Sequence, residues 1–279
     1  MKRIYLLPNL VTAFSLSCGL FIIFRIVLFG QVEIPYSLFQ SSVILLLVAG
    51  LADVCDGAIA RVLGAESEFG IQFDSLSDSI TFGVAPAVIV LRSFSISLDS
   101  PYFLFLSGSA IVLSLCGVLR LARYNVGATH KKEVSKDPRG RKIFTGLPIP
   151  AAGLAVVSAN LFLISDEFRA FVSMSESTRA IIMISVMCLV GYFMVSRWKF
   201  PGVKTFNIRV KSFFLVFVTA IIAVVLLYGI FHLFAFVFFV IFWAYLIFAW
   251  SLSIIRLILG RKSKTLEDFE PDDDQDKKL

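Results

Sequence analysis

The sequence predicts an all-α protein, a polytopic membrane helix bundle of about eight transmembrane helices with both termini in the cytoplasm. Three observations carry that prediction: the apolar content, its gathering into runs of about 20 residues, and the alternation of charge between successive loops. Of 279 residues, 58% are hydrophobic and 16% charged, against about 45–50% and about 25% in soluble domains. That balance excludes a soluble enzyme.

The apolar runs fall at 10–29, 37–60, 73–92, 102–121, 146–164, 179–196, 213–229 and 233–255. The first follows Met1-Lys2-Arg3 with no small-residue cleavage pattern behind it, so it reads as a retained helix. Arg25 lies inside it and reads as snorkelling or paired with a buried polar group. Pro148 and Pro150 open the fifth run, where a proline suits the first turn of a helix. The Phe-rich stretch from Phe231 to Phe248 reads as a lipid-facing helix. Cys18, Cys55, Cys116 and Cys188 all fall in apolar runs with no CxxC pair, and so read as small buried hydrophobes.

Loop charge sets the orientation. The segment 120–142 carries Arg120, Arg123, Lys131, Lys132, Lys136, Arg139, Arg141 and Lys142 against Glu133 and Asp137. The segment 197–211 carries Arg197, Lys199, Lys204, Arg209 and Lys211 with no acidic residue. The alternate loops have Glu33 alone, then Asp166, Glu167 and Glu176 against Arg169. Lysine and arginine mark the cytoplasmic side, so the two basic loops and both ends of the chain belong there. The net charge of +6 then describes a surface facing anionic lipid headgroups. Nucleic acid is not an expected partner, because no separate basic domain exists. A membrane domain is expected over 1–260. The remainder, 261–279, is a charged cytoplasmic tail with seven acidic residues among the ten from Glu267 to Asp276, a composition that disfavours folding.

The chemistry sits where the second run ends and the third begins. Asp53 and Asp56 are three apart and share one helix face, with Gly57 and Ala60 on the same stripe. Gly70, Asp74 and Asp78 recur at intervals of four and again share a face. Two antiparallel helices joined by a short loop bring four carboxylates into one polar pocket. Carboxylates at the edge of a bilayer are costly and mark functional sites, and four together call for a cation. All-oxygen ligation suits Mg²⁺, Mn²⁺ or Ca²⁺, and His130 and His232 lie outside the hairpin. Two ions bridged by carboxylates form the clamp used in phosphoryl-type displacements. Arg61 adds a fixed charge able to fork onto a diphosphate.

The pattern Asp53-x2-Asp56-Gly57-x2-Ala60-Arg61-x8-Gly70-x3-Asp74-x3-Asp78 resembles the signature of the CDP-alcohol phosphotransferases without departure. The flanks Leu7-Pro8-Asn9-Leu10-Val11-Thr12, Phe82-Gly83-Val84-Ala85-Pro86-Ala87, Leu119-Arg120-Leu121-Ala122-Arg123-Tyr124-Asn125 and Phe144-Thr145-Gly146-Leu147-Pro148-Ile149-Pro150 look like the phosphatidylserine synthase branch. Ser79 stands where the phosphatidylglycerophosphate branch typically has lysine. The resemblance runs from about residue 7 to residue 160.

It implies an inner-membrane, multi-pass enzyme, active at the cytoplasmic side, that moves a phosphatidyl group from CDP-diacylglycerol to L-serine and releases CMP. It also implies a homodimer and two Mg²⁺ or Mn²⁺ ions on Asp53, Asp56, Asp74 and Asp78, with Asp78 as general base. Gly57, Arg61 and Ser67 would hold the CDP-lipid, helped by Asn9 and Thr12. Arg120 and Arg123 are the candidates for the serine carboxylate; their alternative role is as interfacial anchors. Glycerol 3-phosphate or an inositol phosphate is the alternative acceptor. A cation transporter is the distant alternative class, and it leaves Gly57, Ala60 and Arg61 without a purpose.

Overall fold

The computed structural model describes residues 6–29, 34–64, 67–96, 100–134, 144–196, 199–200 and 233–259. Helices dominate, and two compact units are distinguished: 1–136 with 148–195, and 137–147 with 196–279. Among the described residues, six helices are long and apolar enough to cross a membrane. The protein is therefore a multi-pass membrane protein.

The first unit contains α1 (Leu6–Leu28), α2 (Tyr36–Leu63), α3 (Glu68–Asp78), a π-helix (Ser79–Val84), α4 (Ala85–Arg92), α5 (Pro101–Val134), α6 (Ile149–Ile164), α7 (Asp166–Phe171) and α8 (Glu176–Val195). Helix α1 shows how these spans divide their faces. Leu7, Leu10, Phe14, Phe21, Phe24 and Leu28 are exposed, at the three- and four-residue spacing of one stripe, while Thr12, Ser15, Cys18, Ile22 and Ile26 are buried. An exposed stripe of leucine and phenylalanine is disfavoured in water and at rest in lipid. Arg25 does not stay unpaired within this span: its guanidinium donates to Ser41 Oγ at 2.9 Å.

Helix α6 corrects the fifth expected span. It begins at Ile149 rather than 146 and has 16 residues, about 24 Å at the α-helical rise and short of a hydrocarbon core of about 30 Å. It needs no full crossing length, because twelve of its residues are buried among the other helices. Three of the four cysteines also depart from the expected burial: only Cys18 is buried, Cys116 is intermediate, and Cys55 and Cys188 are exposed, all as free thiols. On a spanning helix an exposed thiol meets lipid, which suits a small hydrophobe as well as a protein core does.

The third span is not one uniform helix. Ser67 caps α3, its Oγ accepting the Gly70 N–H at 3.0 Å. After Asp78 the chain widens into the π-helix, where the Ala85 N–H bonds Ile80 O, five residues back. Beyond α4, the ends of three helices are tied together around Arg179. This buried side chain pairs with Glu176 at 3.0 Å, donates to Ser93 O and lies 4.0 Å over the Phe94 ring. Ser93 Oγ in turn donates to Asn160 Oδ1 at 2.8 Å.

The second unit contains β1 (Phe144–Thr145), β2 (Lys199–Phe200) and α9 (Phe234–Leu259). The two short strands pair antiparallel, with Phe144 opposite Phe200 and Thr145 opposite Lys199. In α9 the rings of Phe234, Phe238 and Phe242 follow one another along the helix, and Phe236, Val240, Ile247 and Phe248 are exposed. The expected span at 213–229 and the tail at 261–279 lie outside the described residues.

Candidate active site

Helix α2 ends at Leu63 because Gly64 turns out of it in the left-handed region, at φ +58°, a conformation open to glycine at no steric cost. The next helix begins at Glu68. That short link sets Asp53 and Asp56, about three and two turns before the end of α2, beside Asp74 and Asp78 on α3. One carboxylate oxygen from each of Asp53, Asp56 and Asp74 lies within 4.8 Å of the other two. Asp53 is also within hydrogen-bond reach of Asp78. The fourth carboxylate thus borders the cluster, with Asp53 and Asp74 as its neighbours.

The surroundings fix these groups from several sides. Asp56 is buried, and its Oδ2 accepts from Thr12 Oγ1 at 2.7 Å. The Gly57 N–H faces the same carboxylate. Thr12 Oγ1 also stands 3.1 Å from Pro8 O, but a hydroxyl has one proton, and the shorter contact to an ionised acceptor is the stronger. Thr12, expected on the donor lipid, therefore reaches the site through Asp56. Ser77 Oγ donates to Thr12 O at 3.3 Å, tying α3 to the start of α1.

Asn9 lies near the first turn of α3. A Cβ on Gly70 would stand 3.1 Å from Ser67 Oγ and 3.2 Å from Asn9 Oδ1. Gly70 keeps those two polar groups next to one another, and both belong to the expected donor-binding set. Arg61 lies in α2, but its side chain falls outside the described residues.

The two arginines of α5 part company. Arg120 is 8% exposed and is an electrostatic partner of Asp78. Arg123, three residues on, donates from Nη1 to Val195 O at 2.9 Å, at the last residue of α8. A cation at a helix C-terminus meets the negative end of the helix dipole. Asn125, farther along the same helix, donates to Ser75 Oγ on α3 at 2.9 Å. Neither Ser75 nor Asn125 stood out in the sequence as a site residue. A polar pair 50 residues apart leaves no local spacing signal.

The donor set fits a hard divalent cation. It is all carboxylate, three oxygens already converge from two helices, and Asp74 Oδ1 is buried with no hydrogen-bond partner among the described residues. A buried carboxylate oxygen left without a proton donor is a costly arrangement, and one that an ion at the centre of the cluster resolves.

Comparison with known proteins bears on the same residues. The family model described as CDP-alcohol phosphatidyltransferase matches residues 5–191. A CDP-diacylglycerol–serine O-phosphatidyltransferase of Helicobacter pylori is 33% identical, over 78% of this chain and 81% of its own. One from Bacillus subtilis is 31% identical, over 71% of this chain and 91% of its own. An archaetidylserine synthase of Methanothermobacter thermautotrophicus is 37% identical, over 71% and 70%. The matched segment covers more than half the chain and contains the whole carboxylate hairpin with the helices packed on it, so this protein belongs to the CDP-alcohol phosphatidyltransferase family.

Proposed function

We propose that the protein transfers the phosphatidyl group of CDP-diacylglycerol to L-serine, giving phosphatidylserine and CMP. The observation that carries this reading is the convergence of four carboxylates from α2 and α3, with the buried Arg120 beside Asp78. The relatives' names support serine: the bacterial ones name it as acceptor, and the archaeal one names a serine lipid as product.

On this reading Asp53, Asp56 and Asp74, with Asp78 at the edge, would hold one or two Mg²⁺ or Mn²⁺ ions, which when bound supply positive charge against the diphosphate. Asn9, Ser67 and Gly57 border the donor's headgroup, with Arg61 placed by its position in the signature. Asp78 accepts the proton of the serine hydroxyl, which is too weakly acidic to attack unaided at neutral pH. The serine oxygen then bonds to the lipid-side phosphorus. The bond from that phosphorus to the bridging oxygen breaks, and its electron pair leaves with CMP. Arg120 orients serine through its carboxylate, and its fixed charge lies on the side of the site where Asp78 takes the proton.

The test is CMP release by the purified protein with CDP-diacylglycerol and each acceptor in turn. Serine is expected to support turnover and chelation of divalent ions to stop it. Turnover with glycerol 3-phosphate or an inositol phosphate but not with serine would replace the acceptor. Survival of activity in excess chelator would remove the metal.

The same reading puts the carboxylate hairpin at the cytoplasmic face of the inner membrane, a side that the charge of the loops supports. In a background without native cysteines, Glu167→Cys is expected to react with an impermeant thiol reagent applied from outside the cell, and Lys199→Cys only after permeabilisation. The opposite pattern would invert the topology. The homodimer implied by the family resemblance goes with this reading and is read out by the mass of the detergent-solubilised particle.

A further inference from the structure

The third span changes pitch directly after Asp78. Six residues, Ser79–Val84, wind as a π-helix, a rare form that occurs mostly as single turns and frequently at functional sites. Pro86 accounts for its far end. Proline has no N–H to offer the Phe82 carbonyl four residues back, and in an α-turn its ring would strike that carbonyl. The wider turn takes in an extra residue, which offsets the face before it from the face after it by about one residue's rotation, roughly 100°. The polar face that carries Asp74 and Asp78 is thereby set independently of the apolar face on which Ala85, Pro86, Ala87, Ile89 and Val90 are buried.

Three helices hold the widened turn, and two do so at glycines. A Cβ on Gly19 of α1 would stand 2.5 Å from Thr81 Oγ1 and 2.8 Å from Thr81 Cα. A Cβ on Gly153 of α6 would stand 2.5 Å from the Phe82 carbonyl oxygen and 3.0 Å from Pro86 Cγ. Neither position has room for alanine unless the π-helix and the glycine's own helix move apart, because backbone atoms are among those struck. From α5, Ser114 Oγ donates to Gly83 O at 2.9 Å. Thr81, Phe82 and Gly83 are all buried. By contrast, a Cβ on Gly108 would meet nothing within 4 Å among the described residues.

We infer that Gly19 and Gly153 are positioning residues for the transfer reaction: by letting α1 and α6 close on the π-helix, they set the height and rotation of Asp78 against Asp53 and Arg120. The inference rests on Asp78 as the proton acceptor proposed above. Displacement at Thr81 or Phe82 reaches Asp78 within one turn. Asp53 and Asp56 sit on another helix, and Asp74 is two turns away.

Gly19→Ala and Gly153→Ala test this, with Gly108→Ala as the control expected to behave as wild type. A displacement on the order of 1 Å at a reacting group lowers turnover by as much as about a hundredfold. The expected result is therefore a kcat reduced roughly tenfold to a hundredfold, with KM for CDP-diacylglycerol and for serine held within about twofold. Mn²⁺ binding to the protein alone, followed by the paramagnetic resonance of the free ion, is expected to be unchanged. The two variants push from different helices, so either one decides where the other fails to fold. Ser114→Ala, which adds no bulk, decides where both fail, by a severalfold loss of kcat alone. Wild-type kcat in a folded variant overturns the inference. So does a loss of Mn²⁺ affinity and of both KM values in step with kcat, since the glycines would then only hold the bundle together. Asp78→Asn run alongside separates the two claims. If it loses turnover while the glycine variants do not, only the positioning role fails; if it keeps turnover, the base assignment itself fails.

Discussion

In Asp78→Asn, CMP release is expected to fall by roughly 10²–10⁴-fold, the range that a positioned proton acceptor contributes. Asparagine has nearly the same shape and can donate an amide N–H to Asp53, but it cannot take the proton of the serine hydroxyl. The neighbouring substitutions are expected to fail differently. Asp53→Ala, Asp56→Ala and Asp74→Ala each remove one of the three oxygens that converge within 4.8 Å, so they should abolish turnover together with Mn²⁺ binding. Asp78→Asn should weaken binding of the ion less, because the three oxygens that converge come from Asp53, Asp56 and Asp74, and Asp78 borders them. All four variants should still insert and fold, since removing a carboxylate from a membrane segment relieves a cost. The comparison is made on purified protein, with ion binding and CMP release measured on the same samples. Wild-type turnover in any one of the four would remove that residue from the site, and equal loss of ion binding in all four would leave Asp78 as a ligand without a separate role.

Much of this site was legible in the sequence because it is local. Asp53 and Asp56 lie on one turn of α2, Asp74 and Asp78 on one turn of α3, and a single short link joins them; helical periodicity alone puts four carboxylates in one place. Six of the eight expected spans, those found among the described residues, were legible for a similar reason, since hydropathy is a property of consecutive residues. What stayed hidden depends on packing between distant segments. Thr12 bonds Asp56 across 44 residues and Asn125 bonds Ser75 across 50, separations at which no periodicity operates. Pro86 was visible, but a proline inside an apolar run fits a kink, a helix start or a widened turn equally well. Only the close approach of Gly19 and Gly153 shows which the chain adopts. Helix α6 was read as a full crossing because hydropathy does not distinguish a helix buried among helices from one facing lipid. Arg120 and Arg123 looked alike for the same reason: both are cations at the basic end of one span, and what separates them is where α8 ends.

That separation sharpens the expectation for the acceptor. Arg120→Lys should raise the KM for serine by roughly tenfold to a hundredfold, the equivalent of a charge-assisted hydrogen bond worth about 1.5–3 kcal/mol, while the KM for CDP-diacylglycerol stays near wild type. Lysine keeps the positive charge near Asp78 but loses the planar pair of donors that fits a carboxylate, so a two-point contact is damaged and a purely electrostatic one is not. Arg123→Lys should leave both constants nearly unchanged, because Arg123 donates to the Val195 carbonyl, a single acceptor that an ammonium group can also serve. Steady-state kinetics with each substrate varied in turn reads out both variants. A rise in serine KM in Arg123→Lys alone would move the acceptor to the end of α8. Unchanged serine kinetics in Arg120→Lys would leave Arg120 as an electrostatic neighbour of Asp78, and the partner of the serine carboxylate would then have to be another residue. A change confined to the CDP-lipid KM would turn Arg120 toward the donor headgroup, and the choice of serine would rest on the relatives and the flanking motifs alone.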